Sequence, residues 1–308
     1  MDLTPNEGQT ALQTATAEWC RGNMTLEDCR NRADALWTGL EAMGWTAMTA
    51  RGMGLDHATE ALVFAELGRF LAPISLLSSA VARRWFEERV TGKVALALTG
   101  SVHAALRILD PPASKMVLMA EAKKLTLLDL PDAGAEGDGG AHHVPHAPTI
   151  DLSTLQRRRE RTGAEWTADD PTARLHLQLL SAAFAVGCAD AARNMAADYA
   201  KLREQFGRPI GWFQSLKHIC SDMAVRAAAA RSELYYAACA LDEHAADAAF
   251  HVAAAKRLAD QAALDNGRAN IQVHGGLGMT DEAAAHLPLK RAHLLQFVMP
   301  ASRETLLA

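Results

Sequence analysis

The sequence predicts a mostly α-helical protein with a small β domain. Three observations lead to this prediction. Apolar residues recur at helical spacing over residues 1–90, short apolar runs between turn residues fill residues 91–166, and long amphipathic helices follow over residues 167–308. We therefore expect an N-terminal helical domain, a reduced central β-sheet or barrel domain, and a C-terminal four-helix bundle.

Composition and charge exclude several classes of function. The chain has 308 residues, 49% of them hydrophobic, and a net charge of -5, as is typical of a globular protein with a large core. Without a basic stripe, no nucleic-acid partner is expected. The N-terminus has no signal-peptide pattern, and no apolar run approaches the roughly 20 residues that span a bilayer. Five scattered cysteines favour buried thiols in a reducing cytoplasm, so we expect a cytoplasmic protein without membrane partners.

The central region contains three apolar runs that predict strands, at residues 94–98, 115–120 and 125–130. The glycine-rich residues 134–140 predict a loop, and Arg157–Arg161 is interpreted as a solvated charged connection.

Three histidines in the same region, His142, His143 and His146, are candidate ligands for a metal site. They follow a glycine-rich loop without helical spacing or nearby cysteines, so no metal site is expected there.

The C-terminal region reads as four helices. The first is expected to begin at Asp170-Pro171 and the second to cover about 216–241. A third is expected over about 247–272, and a shorter one after Thr280-Asp281.

The first candidate motif runs from Arg203 to Gln214 and reads Arg-Glu-Gln-Phe-Gly-Arg-Pro-Ile-Gly-Trp-Phe-Gln. Arg203 ends a long helix, and its guanidinium can donate two hydrogen bonds to a pyrophosphate, while Phe206 can pack against an aromatic ligand edge. An arginine near a helix C-terminus also interacts favourably with the helix dipole, so this motif alone does not specify a ligand.

The second candidate motif is Gln272-Val-His-Gly-Gly-Leu-Gly-Met279. It places a polar amide at a helix end, followed by Gly275 and Gly276, which allow a ligand to approach the backbone closely. A turn between two helices uses the same residues, so the pair of motifs is more specific than either one.

Together these motifs resemble the C-terminal domain of the acyl-CoA dehydrogenase family. The order Arg-x-x-Phe-Gly, then Gln-x-His-Gly-Gly-x-Gly, then the basic Lys290-Arg291 is similar to that family in spacing. The segment Glu66–Pro73 resembles the family's helix before its substrate domain. The likeness covers nearly the whole chain, strongly after about residue 175 and loosely before it.

The resemblance implies an enzyme that desaturates acyl-CoA thioesters with FAD bound between two subunits. One subunit's sheet domain holds the flavin ring, and the neighbour's two motifs hold the pyrophosphate and adenosine. By motif match, the residues implied to contact a flavin bound mainly by a partner are Arg203, Phe206, Gln272, Gly275 and Gly276.

Three departures from the family pattern concern the same site. The central domain lacks the Thr-Glu-Pro loop and the tryptophan strand beside the flavin, with residues 98–101 as the nearest remnant. Met299 and Leu177 occupy the two positions where the family places its catalytic glutamate, and Glu304 is the remaining substitute. The chain also ends at Ala308, before the family's closing helix, so its own flavin site is expected to be incomplete.

This combination resembles the shorter, degenerate subunit of the heteromeric α2β2 acyl-CoA dehydrogenases of bacterial steroid side-chain breakdown. The resemblance implies a partner subunit that carries the catalytic glutamate, an acyl-CoA substrate, and an acceptor such as electron-transfer flavoprotein. Two alternatives stay open at this point. One is an active homo-oligomer with a displaced base, and the other is a non-catalytic scaffold or CoA-ester binding protein on the same fold.

Overall fold

The computed structural model describes residues 4–29, 32, 35–98, 106–121, 123–130, 147–151, 153–159 and 163–307. The helices of this part of the chain are α1 Glu7–Asn23, α2 Ala35–Ala42, α3 His57–Arg69, α4 Ser75–Trp85, α5 Pro171–Leu202, α6 Gln214–Asp242, α7 Ala248–His274, α8 Leu287–Leu295 and α9 Arg303–Leu307. Its strands are β1 Val94–Leu98, β2 Leu106–Leu109, β3 Met116–Ala120, β4 Leu125–Asp129, β5 Ala147–Pro148, β6 Leu155–Arg159, β7 Glu165–Ala168, β8 Glu204–Gln205 and β9 Arg208–Pro209. The predicted fold class, mostly helical with a small β domain, is confirmed.

The chain packs as two compact units. The first comprises Met1–Cys29, His57–Ala72 and Gln178–Ala308, and the second comprises Arg30–Asp56 and Pro73–Leu177. The three domains expected over residues 1–90, 91–166 and 167–308 stay a prediction.

The second unit contains a seven-stranded sheet in the order β5-β6-β2-β1-β3-β4-β7. β1 and β3 run parallel, and the other neighbouring strands are antiparallel. The three predicted apolar runs are β1, β3 and β4. Because they lie at the centre of the sheet, their side chains are buried, and one cluster contains Ala95, Ala97, Leu106, Ile108, Val117, Met119, Leu128 and Leu130.

The interpretation of Arg157–Arg161 as a charged connection is wrong for residues 157–159, which belong to β6. This strand pairs with β2, and Arg157 lies opposite Ile108. Beyond β6 the sheet ends in the two-residue β5, and Arg157 is only half-buried. A strand this close to the sheet's end tolerates charged side chains that a central strand excludes.

Several sequence features fall outside the described residues. These are Arg161, the loop at residues 134–140, the histidines at 142, 143 and 146, and the remnant at 99–101.

The first unit is built on the long helices α5, α6 and α7. α5 begins where the sequence predicted, and Asp170 accepts a hydrogen bond from the backbone N–H of Thr172 at 2.8 Å. The buried Asn266 on α7 donates to the carbonyls of Ala189 on α5 and Met223 on α6, at 3.2 and 2.9 Å. The buried side-chain amide of Asn266 therefore connects α5, α6 and α7 by hydrogen bonds. The fourth helix, α8, begins at Leu287, later than the sequence predicted.

Two buried cations hold α8 in place. Lys256 on α7 donates to the carbonyl of Leu295 at 3.0 Å and pairs with Asp260. Burial lowers the pKa of Lys256, and the Asp260 charge partly opposes that shift. Arg291 on α8 donates to the carbonyl of Ala72 at 2.6 Å. Arg291, from the basic pair noted in the sequence, therefore anchors the chain internally.

The expectation that no segment is long and apolar enough to span a bilayer is wrong by length and composition alone, because the described helix α5 meets both criteria. Its most apolar stretch is 94% buried within the protein, as in a core helix. All five cysteines lie in described residues, and four of them are buried.

Candidate functional site

The first motif forms a short hairpin directly after α5. The backbone N–H of Arg203 donates to Tyr199 at the end of the helix, and the N–H of Ile210 donates back to Arg203, each at 2.8 Å. β8 and β9 pair around Phe206 and Gly207, whose φ angles are +54° and +74°. Two consecutive positive φ angles are typical of a type I′ turn. This turn holds Phe206 at its tip, where the residue is 86% exposed.

The hairpin and the helix after it carry three cations, Arg203, Arg208 and Lys217. Arg203 is exposed, and within the described chain it takes part in no ion pair. The Arg208 guanidinium and the Lys217 ammonium lie 5.5 and 5.6 Å from the ring centre of the exposed Trp212. An unpaired guanidinium such as that of Arg203 is suited to anionic groups such as phosphates.

The second motif forms the turn that ends α7. Gln272 is exposed in the last turn of the helix, and Gly275 follows with φ +62° and ψ −143°. Only glycine adopts that backbone conformation readily, so the turn itself requires Gly275. Gly276 has no such angle, and a β-carbon added there would meet nothing within 4 Å. Its missing side chain therefore leaves room for a group from outside the chain.

A ring contact joins the two motifs. Tyr199, four residues before Arg203, stacks on His274, with ring centroids 4.1 Å apart. Beneath the rings, Val273 belongs to a buried apolar cluster with Ala196 and Ala200 of α5. Both motifs thus lie at adjoining ends of α5 and α7, next to the same buried apolar cluster. The sequence analysis missed this pair, although His274 lies within the second motif and Tyr199 lies one helical turn before the first.

Neither residue that the family resemblance matches to a base position carries a proton acceptor. Leu177 on α5 is fully buried. Met299 is half-buried in a left-handed conformation with φ +49°. Glu304, the remaining substitute, lies on the short helix α9 and is exposed to solvent. An exposed carboxylate does not match a base that works in a dry pocket.

Comparisons with known proteins agree on one family. The family model for the acyl-CoA dehydrogenase C-terminal domain matches residues 173–298. The acyl-CoA dehydrogenase IpdE2 of Mycobacterium tuberculosis (strain ATCC 25618 / H37Rv) is 32% identical over 298 residues, which cover 90% of this chain and 86% of IpdE2.

Two solved structures have the same fold. The ChsE4-ChsE5 complex from Mycobacterium tuberculosis has a TM-score of 0.75 at 22% identity, and the match covers 97% of this chain and 95% of that one. A variant of the Tcur3481-Tcur3483 steroid ACAD has a TM-score of 0.78 at 22% identity, and the match covers 98% of this chain and 96% of that one.

Proposed function

The chain belongs to the acyl-CoA dehydrogenase family, and on that premise we propose that it is the subunit without a base in a hetero-oligomeric, FAD-dependent acyl-CoA dehydrogenase. One observation supports the proposal: methionine and leucine stand where the family resemblance places the base, and the remaining candidate, Glu304, is exposed. The desaturation needs a carboxylate over the α-carbon, with a pKa raised by burial. In this proposal a partner subunit supplies it.

The chain's own contribution is contact with the adenine-nucleotide half of FAD. When bound, FAD accepts the hydride that leaves the β-carbon of the acyl group. Arg203 would hold the pyrophosphate, and Phe206 and Gln272 would contact the adenosine side. The turn at Gly275 and Gly276 would allow the nucleotide close to the backbone. The exposed, unpaired guanidinium and the open space at Gly276 fit this role.

The surface around the motifs supports a partner chain. Leu202, Phe206 and Met279 are each between 78% and 86% exposed, and they lie within or beside the two motifs. Large apolar side chains grouped on a surface mark interaction sites. We propose that they face the partner subunit in an α2β2 assembly, across whose interface the FAD is shared.

The substrate class follows from the family and its similar structures. We propose an acyl-CoA with a bulky acyl group, such as a steroid side chain, because one protein of similar structure is a steroid ACAD. Electron-transfer flavoprotein is the proposed acceptor, and the cytoplasm the proposed compartment.

Purification of the chain alone and together with a base-bearing relative tests this proposal. The lone chain is expected to carry no stoichiometric flavin and to show no turnover with acyl-CoA and an artificial electron acceptor. The co-purified complex is expected to show both. Stoichiometric flavin and turnover from the lone chain would instead support the homo-oligomer. Calorimetric uptake of acyl-CoA by the flavin-free lone chain would support the CoA-ester binding protein.

A further inference from the structure

The stacked rings of Tyr199 and His274 connect two segments that are 75 positions apart in the chain. Their centroids lie 4.1 Å apart, and their planes differ by 23°. Both side chains are half-buried. Such a pair stabilises its arrangement beyond the contribution of the apolar area that it buries.

Each ring is fixed to its own motif. The Tyr199 carbonyl accepts the hydrogen bond from the N–H of Arg203, so the tyrosine and the start of the hairpin share one helical turn. The Nδ1 of His274 lies 2.9 Å from the carbonyl of Asn270, to which it donates. The buried side chain of Asn270 in turn donates to the carbonyl of Ala285, beyond the glycine turn, at 2.9 Å. The histidine ring is therefore oriented from within α7, and the same Asn270 connects α7 to the segment beyond the turn.

The stack joins the end of α5, which is followed by Arg203, to the end of α7, which is followed by the turn at Gly275 and Gly276. A dinucleotide that contacts both must find them at a fixed separation, because its pyrophosphate and adenosine are covalently linked. We propose that Tyr199 and His274 are a positioning pair that holds the two motifs in register for the adenosine diphosphate half of FAD. This inference rests on the proposed function and assigns the pair no contact with the reacting atoms.

Removal of either ring should weaken FAD binding without altering the flavin chemistry. In the co-purified complex, we expect Tyr199→Ala and His274→Ala each to raise the Kd for FAD by about 3- to 10-fold, the range that the energy of one aromatic pair implies. At saturating FAD, the visible flavin spectrum and kcat should match the wild type. The double variant should bind FAD about as well as either single variant, because both lose the same contact.

Conservative variants separate stacking from hydrogen bonding. Tyr199→Phe keeps the ring without the hydroxyl, and His274→Phe keeps the ring without the donor to Asn270. We expect both to retain FAD affinity close to that of the wild type. Affinity lost in Tyr199→Phe to the same extent as in Tyr199→Ala would overturn the stacking assignment.

A second tyrosine–histidine pair is a matched control. Tyr236 on α6 and His251 on α7 have ring centroids 4.4 Å apart. His251 lies about 35 Å along α7 from His274, at 1.5 Å per residue. Tyr236→Ala and His251→Ala should leave the Kd for FAD unchanged. An equal rise in these controls would show general loosening of the bundle and overturn the inference.

The outcomes also separate this inference from the proposed function. If Arg203→Ala loses FAD while Tyr199→Ala and His274→Ala bind it normally, only the positioning role fails. If Arg203→Ala also keeps FAD, the proposed nucleotide contact itself fails.

Discussion

Gln178 on α5 donates its Nε2 hydrogen to the backbone carbonyl of Met299 at 3.1 Å. The same amide lies 3.3 Å from the carbonyl of Pro300, and the Ser181 hydroxyl donates to Val298 at 3.2 Å. A core helix therefore holds the backbone of the segment that the family resemblance matches to one base position. These hydrogen bonds hold the segment at a defined position in the fold, although the Met299 side chain has no proton acceptor.

Loss of that amide should destabilise the chain. In Gln178→Leu the carbonyls of Met299 and Pro300 lose their donor, and we expect the free energy of unfolding to fall by about 1–2 kcal/mol. Urea unfolding measures the change. Gln261→Leu, which removes an exposed amide on the surface of α7, is the control and should change it by less than about 0.5 kcal/mol. Equal effects in the two variants would contradict a specific role for Gln178.

The two turn glycines should respond differently to alanine. Gly275→Ala forces a β-carbon into a conformation with φ +62°, so we expect a loss of about 1–3 kcal/mol in unfolding free energy. Gly276→Ala adds a methyl group into open space and should leave stability unchanged. Its effect should appear in the complex, as weaker FAD binding. Normal FAD affinity in Gly276→Ala would show that the nucleotide does not lie against this turn.

Glu304 should be dispensable for turnover. The residue is exposed on α9, so Glu304→Gln in the complex is expected to keep kcat within about twofold of the wild type, as for a residue outside the reacting site. Steady-state rates with acyl-CoA measure this. A fall of several orders of magnitude would identify Glu304 as the displaced base and favour the homo-oligomer.

The lowered pKa of His293 predicts how the stability of the chain changes with pH. Burial, reinforced by the charge of Arg268, lowers the pKa of His293 from its ordinary value of 6.5. Below that value the unfolded chain binds more protons than the folded chain, so this contribution to stability is present above pH 6.5 and is lost as the pH falls. Urea midpoints measured between about pH 5 and 7 should rise less steeply in His293→Gln than in the wild type. Identical slopes would contradict this contribution.

The elements that could be predicted from the sequence are those whose structure depends mainly on their own residues. The central strands are continuous apolar runs because they are buried in the sheet, α5 begins at Asp170-Pro171, and α7 ends at the Gly275 turn. β6 was missed because its arginines are typical of a solvated segment, whereas pairing with β2 decides its conformation. A conformation that depends on pairing with another strand leaves no pattern in the local sequence.

In the candidate site, too, some features could be predicted from the sequence and others depend on how the helices pack. The hairpin and the glycine turn have local signatures, so Arg203 and Gly275 could be found in the sequence. The stack of Tyr199 on His274 depends on how α5 and α7 pack, and no local motif marks Tyr199 in the sequence. The space open beside Gly276 likewise becomes visible only in three dimensions.

The number of flavins in the purified complex tests the central claim most directly. If this chain completes the flavin site of its partner and has none of its own, the ratio is one FAD per pair of unlike chains. Arg203→Ala should then lower that ratio towards zero while the partner stays bound. Two flavins per pair, or an undiminished flavin content in Arg203→Ala, would contradict the account.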